Sequence, residues 1–543
     1  MGNKVEELKQ KKNPLEIADT IKEVYAKEGY DAITDPDEPE RLKWYGLYTH
    51  NDKTEGYFMM RIKVPGGVLK PGQARRIGEV INAYAVGEFA NPHFGDAFGD
   101  VTTRQDIQMH WIDIRDVPEI WELLGEVDIP TGVTGACGDV PRNVVGCPVA
   151  GLDKHEIING QDLVEEVTDF FLGNEEFSNL PRKYKIAISG CRERCGQGEI
   201  NDIGLYPAQK SMNGKEEYGF NVIAGGGLGR KEILAKGLNV FLTRDQVVEF
   251  NRAAATVFRD QGNRKRRGRA RLRYLLDEKG ADWFREEIQN EANFTLQESG
   301  ESLEASSQYN DGRYYRDHIG LHEQKNGNYY AGLHVPTGRF KGDWFIEAAN
   351  LSDEYGNGEI RLTQRQNIII PDIPEERLDT FQTESLLERL QLAPSPLRRG
   401  SITCTGTEFC SLALIETKNR MVKWIEELEQ RLDTESPIRL HLSGCNASCA
   451  QPQIADIAFQ GMKARKDGDT VEAVDIGLGG GLGDNPGFAE WVLKRVPCED
   501  AFDVVSAIVE QYEDRKQNGE SFREYVWRVN PENAVPDLDI LNQ

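Results

Sequence analysis

Four cysteines in the C-terminal half stand in two close pairs. Five residues separate Cys404 from Cys410, and three separate Cys445 from Cys449. Thiolates arranged this way supply what a [4Fe–4S] cube requires, one sulfur ligand for each iron. The spacings differ from the two-residue gap of a zinc knuckle. Small neighbours, Thr405, Gly406, Ala447 and Ser448, let the chain fold around a bulky cluster. The alternative, four unrelated buried thiols, sits badly with a chain of 543 residues that holds only nine cysteines. That number is odd, and the N-terminal MGNKVEELKQKKNPLE has no apolar stretch of the secretory kind. A disulfide framework is therefore not expected, whereas metal or catalytic use is.

The same residues reveal an internal repeat. Ser189-Gly190-Cys191, Cys195 and Ile200-Asn201-Asp202-Ile203 recur 254 positions later as Ser443-Gly444-Cys445, Cys449 and Ile454-Ala455-Asp456-Ile457. Glycine runs 225–227 and 479–481 keep that offset. Thr103-Arg104-Gln105 pairs with Gln364-Arg365-Gln366 at 261, and Val64-Pro65 with Val335-Pro336 at 271. Ordered matches at drifting offsets imply a duplicated chain with small insertions. The first copy carries Cys147, Cys191 and Cys195 where the second has Cys404, Cys445 and Cys449. Asp153 stands at the place of Cys410. Those three thiols are either a relic or a second metal site.

Each half must position its motif with the same order of elements. A strand (57–64, 329–335) leads to a helix (72–85, 343–355). A strand around the Arg-Gln motif comes next, then a short helix after proline (118–124, 374–381). Apolar strands at 185–190 and 438–444 then run directly into the cysteine loops. Polar residues 297–312 read equally well as a linker between the halves or as a long surface loop.

At this point the chain resembles the ferredoxin-dependent nitrite and sulfite reductases, which carry a siroheme and a [4Fe–4S] cluster. The likeness runs from Trp44 to about Trp527. It rests on FMMRIKVPGG (58–67), DVTTRQDIQMHW (100–111), ACGDVPRNVVGCPVAG (136–151) and LPRKYKIAISG (180–190). In the second half it rests on CTGTEFCSLALIETK (404–418) and HLSGCNASCAQPQIADI (441–457). The resemblance implies an α/β (α+β) fold in two halves related by pseudo-twofold symmetry. Each half pairs a ferredoxin-like half-domain with a siroheme- and cluster-type domain. The expected segments are 1–125, 126–296, the linker 297–312, 313–392 and 393–543. It implies that Cys404, Cys410, Cys445 and Cys449 bind the cluster and that Cys449 also ligates the siroheme iron. Arg104, Gln105, Arg365 and Gln366 become candidates for the siroheme carboxylates. The glycine runs are weak candidates for backbone approach to the macrocycle.

Arg61, Arg142, Lys183 and Lys185 match the family's substrate-side cations. Lys183 and Lys185, two apart on an expected strand, would face one way. Burying such a pair is costly without an anion to meet it. The family pattern Lys-x-Lys accompanies sulfite and Lys-x-Asn accompanies nitrite. Sulfite, mostly a dianion near neutral pH, suits a second cation better. Cys137, with Tyr48 as its expected neighbour, also resembles the sulfite-reducing branch, although a plain buried thiol is the equal alternative. The expectation is therefore six-electron reduction of sulfite, with assimilatory nitrite reduction as the alternative. A siroheme-binding carrier or sensor without turnover is a remote third.

Charge and composition set the outer limits. A net charge of −25 argues against nucleic-acid or anionic-membrane binding. No apolar run is long enough to span a bilayer, and a cytoplasmic, monomeric protein is expected. Without a flavin or nicotinamide fingerprint, electrons must come from a partner, ferredoxin by the resemblance. The basic run 263–273 could dock that partner, with Arg266, Arg269 and Arg273 on one helical face. Neutralising siroheme carboxylates, or internal ion pairing, is the stronger reading of that run.

Overall fold

Period-two burial builds the first sheet. In the strand Phe58–Ile62, Phe58, Met60 and Ile62 are sealed in the core, while Arg61 on the opposite face stays half-buried. The computed structural model describes residues 3–130, 137–303, 317–483 and 485–538. Its strands in the first ferredoxin-like unit are β1 (Leu47–Thr49), β2 (Phe58–Ile62), β3 (Val68–Leu69), β4 (Val86–Asn91), β5 (Gly95–Val101) and β6 (Ile107–Ile112). The unit that follows holds β7 (Val145–Gly146), β8 (Ile186–Ile188), β9 (Ile203–Met212), β10 (Lys215–Ala224), β11 (Lys236–Leu242) and β12 (Glu301–Ser302). The second half repeats this order with β13 (Gly320–Glu323), β14 (Tyr329–Leu333), β15 (Arg339–Lys341), β16 (Ile360–Leu362) and β17 (Ile368–Ile373). It closes with β18 (Ser401–Thr403), β19 (Leu440–Ser443), β20 (Ile457–Lys466), β21 (Asp469–Leu478) and β22 (Glu490–Pro497).

The repeat seen in the residues is a repeat of sheets. β7, β8 and β9 pair in parallel and continue antiparallel into β10 and β11. β18 to β22 follow the identical scheme. β9 and β10 map onto β20 and β21 residue for residue at the offset of 254. The ferredoxin-like units do not stay apart. β15 of the second half pairs with β5 of the first, and β3 of the first pairs with β16 of the second. This reciprocal exchange lets one apolar core run through both units, from Ile62 and Ile77 to Leu333 and Phe345. Two further cores fill the cluster-type units.

Most expected elements lie within a residue or two of their positions, including helices Gln73–Tyr84 and Gly342–Tyr355. The Arg-Gln motif differs: it is the turn of a hairpin, not a strand. The Thr102 hydroxyl accepts from the amides of Arg104 (3.2 Å) and Asp106 (3.1 Å), and Gln105 takes a left-handed φ of 58°. Thr363, Arg365, Asn367 and Gln366 repeat the turn, with φ 63° at Gln366. The segment 374–381 splits into a 3-10 turn and a single helical turn. Of the expected linker, Gln297 bridges Phe241 and β12 adds to β9, so its start belongs to the first half. Residues 304–312 lie outside the described residues. No helix among the described residues is long and apolar enough to cross a membrane.

Candidate active site at the seam between the halves

β18 delivers Cys404, and β19 delivers Cys445 and Cys449, because both strands end in loops rather than turns back into the sheet. The Gly444 amide donates to Cys404 Sγ at 3.1 Å and the Ala447 amide to Cys445 Sγ at 3.5 Å. Such donors favour thiolate. Burial, then the nearby Cys449, pushes the Cys404 thiol up to about 12. Burial also raises Cys410 and Cys445, and each of them feels Cys449. The four thiols thus converge, yet they do not crowd within single-ion distance of one another as a tighter group elsewhere does. A cube spreads its thiolates, one on each iron, so this looser arrangement suits it.

Cations from the first half face these cysteines. Alternation at the entry to β8 puts Tyr184 in the apolar core, stacked on Phe258, and leaves Lys183 and Lys185 on the other side. Burial, followed by the charges of Arg142 and Arg271, lowers Lys183 to about 7, while Cys449 pulls the other way. Burial together with Arg104 and Lys183 holds Lys185 well below its ordinary value. Burial also opposes the charge of Arg61, but Cys137, Asp106, Tyr48 and Cys449 together keep it raised. Arg142 donates to Cys137 Sγ at 3.2 Å. Tyr48 hydrogen-bonds Cys137, and burial raises its hydroxyl. The Thr103 hydroxyl donates to the Cys449 carbonyl at 3.0 Å, which ties the first-half turn to the second-half cysteine loop.

The second copy of this cationic surface is neutralised, whereas in the first Arg61 and Arg271 have carboxylates and Lys183 and Lys185 form no ion pair among the described residues. Arg439, at the place of Lys185, is clasped by Asp456 at 2.7 Å and 2.9 Å. Arg399, at the place of Arg142, pairs with Asp317. Pro437 replaces Lys183. In the first copy, Asp202, the counterpart of Asp456, is taken by Arg271 at 2.8 Å, so its carboxylate does not meet the Lys185 ammonium. The buried Nε atoms of Arg61, Arg104, Arg142 and Arg271 lack a partner. Buried cations in excess over carboxylates require an anionic ligand. A siroheme with its eight carboxylates, together with an oxyanion, fits that requirement.

Several expected site residues have other tasks. Gln105 is fully buried, and its amide donates to the carbonyls of Gly66 (2.7 Å) and Leu362 (3.0 Å) while accepting from Gly146 N (3.0 Å). Gln366 mirrors it, donating to Val101 O at 2.9 Å and accepting from Thr403 N at 3.0 Å. Both side chains are committed to main-chain groups, Gln105 with both of its N–H donors. Arg365 acts on Asp317 and His441 at the symmetry-related place. Arg104 does belong to the cationic set, lowered to about 10 by burial and then by neighbours including Arg142. The glycine runs serve protein packing: a Cβ on Gly226 would stand 2.3 Å from Glu199 O, and one on Gly480 2.3 Å from Gln453 O.

The basic run is not one helical face. A 3-10 turn at Arg267–Arg269 breaks it from the helix Leu272–Lys279. Arg264 pairs with Glu6 at 2.9 Å, Arg267 with Asp139 at 2.7 Å and Arg271 with Asp202. Two site residues are not singled out in the sequence, although the second lies within the basic run 263–273. Lys63 is buried and lowered to about 8 by burial and then by Arg142 and Arg104, against the pull of Asp106 and Cys137. The other is Arg271. Lys63 stands two residues after Arg61, the same spacing that marked Lys183 and Lys185.

Comparison with known proteins agrees with this arrangement. The model of the nitrite and sulphite reductase 4Fe-4S domain matches residues 137–296 and 396–535. The nitrite/sulfite reductase ferredoxin-like half domain matches 50–90, 92–127 and 322–386. The assimilatory ferredoxin-dependent nitrite reductase of Haloferax mediterranei is 43% identical, covering 94% of this chain and 89% of that protein. The sulfite reductase [ferredoxin] of Mycobacterium tuberculosis H37Rv is 34% identical, covering 97% of this chain and 95% of that protein. The structure of the M. tuberculosis NirA protein superposes with a TM-score of 0.88 at 34% identity, covering 97% of each chain. The chain belongs to the siroheme- and [4Fe–4S]-containing, ferredoxin-dependent nitrite and sulfite reductases.

Proposed function

We propose that the chain reduces sulfite to sulfide, taking six electrons from ferredoxin. The observation that carries this reading is the pair Lys183 and Lys185, buried side by side with no ion pair to a carboxylate among the described residues. Two cations match the dianion better than they match nitrite. Tyr48 held against Cys137 supports the same branch. Cys404, Cys410, Cys445 and Cys449 would hold the cluster, with Cys449 shared by the siroheme iron. When bound, that centre supplies an open iron position for the substrate and a store that passes on electrons one at a time.

The protein's own residues would do the rest. Arg61, Arg142, Lys183 and Lys185 would hold the oxyanion and neutralise charge as its oxygens leave as water. Lys183, poised near neutrality, would give up a proton at Nζ to a departing oxygen. Arg104, Arg271 and Lys63 would meet the siroheme carboxylates. Ferredoxin would approach the loop after Cys410, where Leu412 and Leu414 stand exposed.

Nitrite reduction by the same residues is the second reading. Relatives bearing that name are the more similar, at 43% and 39% identity against 34%. Steady-state kcat/KM for both substrates, with reduced ferredoxin as donor, separates the two. The sulfite reading expects sulfite to be preferred, and Lys185→Asn to move the ratio toward nitrite by about tenfold, the effect of losing one charge contact of about 1.4 kcal/mol. A wild-type preference for nitrite that Lys185→Asn leaves unchanged would overturn it.

A further inference from the structure

The first copy of the cysteine motif retains three of its four sulfur donors. Cys147 follows β7, and Cys191 and Cys195 follow β8. All three are buried, and their Sγ atoms lie within 4.8 Å of one another. Among the described residues they are the one group of three or more Cys, His, Asp or Glu drawn this close. A fourth donor arrives from the other half of the chain. Nε2 of His318, a residue 4% exposed, lies 3.5 Å from Cys195 Sγ but beyond 4.8 Å of at least one of the other two sulfurs, so a shift of the ring toward them completes the set. Bond lengths of about 2.3 Å to sulfur and 2.0–2.1 Å to nitrogen place such atoms about 3.5 Å apart around a tetrahedral zinc. Nδ1 of His318 lies 3.4 Å from the hydroxyl of the fully buried Tyr330, which orients the ring for coordination through Nε2.

We propose that Cys147, Cys191, Cys195 and His318 bind a structural zinc ion. Three thiolates and an imidazole form a closed Cys3His set of the kind zinc takes in structural sites. Val149, Ala150, Leu152 and Ile369 pack beside the thiols, and the carboxylates of Asp153 and Glu156 lie near enough to act on them. A cube is excluded by scale, since the three sulfurs gather on one point rather than spreading over four irons. Asp153, which replaces the fourth cysteine, bridges Gln324 through its main chain, while its carboxylate accepts from the His155 amide at 2.9 Å. Binding displaces the thiol protons and links metal to folding.

The position of the ion gives it a task. The cysteines belong to the first cluster-type unit, and His318 leads into β13 of the second half. The ion therefore staples the two halves beside the contacts Lys325 N to Leu152 O (2.9 Å) and Lys154 to Glu323 (2.8 Å). Duplication has left two metal positions with divided labour: an electron-carrying cluster in one copy and a redox-inert clamp in the other.

Elemental analysis of the purified holoenzyme tests this directly. About one zinc per chain is expected beside about five irons, four in the cube and one in the siroheme. Zinc-edge X-ray absorption should show three sulfur neighbours and one nitrogen neighbour. Cys147→Ser and His318→Ala should each reduce bound zinc at least tenfold while the visible spectrum of the siroheme persists. Wild-type protein without zinc, or with iron in its place, overturns the proposal. So does zinc that both variants retain in full. If neither variant folds, the wild-type metal content and absorption edge decide alone.

Discussion

Lys185 and Arg439 hold the same place in the two copies, and their surroundings set them to opposite uses. Asp456 neutralises Arg439, while Arg271 occupies the carboxylate that would have served Lys185. The consequence is measurable as a pH dependence. Lys183 and Lys63 bind their protons less well in the fold, at about 7 and about 8, than at the ordinary lysine value of 10.5. Above those values the unfolded chain carries the extra proton, so this part of the stability rises with pH. In cofactor-free protein, Lys183→Met should therefore stabilise most near pH 7, and its advantage should shrink toward pH 9. Siroheme carboxylates should remove that dependence. Thermal unfolding at the two pH values, with and without cofactor, is the check. An advantage that grows with pH would contradict the assignment of burial as the cause.

At the scale of elements, the Arg-Gln turns are the joints of the molecule. Gln105 and Gln366 each reach from one half to a strand end in the other, Leu362 and Val101, which are themselves repeat equivalents. Gln197 and Gln451, also equivalents, touch one another at 2.8 Å and mark the pseudo-twofold axis. Gln105→Ala would strand the Gly66 and Leu362 carbonyls and the Gly146 amide. Unpaired buried groups of this kind cost about 2–4 kcal/mol together. Urea unfolding should register that loss with the visible spectrum intact in the folded fraction. A loss under about 0.5 kcal/mol would show that the amide does not join the halves.

These joints also mark where sequence reading succeeds and fails. The two cysteine pairs and the offset of 254 are legible because spacing and order lie along the chain. The task of Gln105 is not, because a repeated polar residue looks the same whether it meets a cofactor or a carbonyl. Lys63 and Arg271 are not singled out because their importance lies in counter-ions that only the fold removes. His318 stands 123 residues from Cys195 and belongs to no motif.

For the whole molecule, duplication supplied two similar seams, and among the described residues it is the first-half cations that stay in excess over carboxylates. The exchange of β3 and β15 locks the halves together, so cations from the first half permanently face cysteines from the second. The central claim is that Cys449, and not its counterpart Cys195, carries the redox centre. The direct test is to compare visible and electron paramagnetic resonance spectra of Cys449→Ala and Cys195→Ala with those of the wild-type protein. Cys449→Ala should lose the siroheme bands, or their coupling to the cluster, together with turnover. Cys195→Ala should keep the spectra in its folded fraction. Intact coupled spectra and full turnover in Cys449→Ala would place the centre elsewhere and contradict the account.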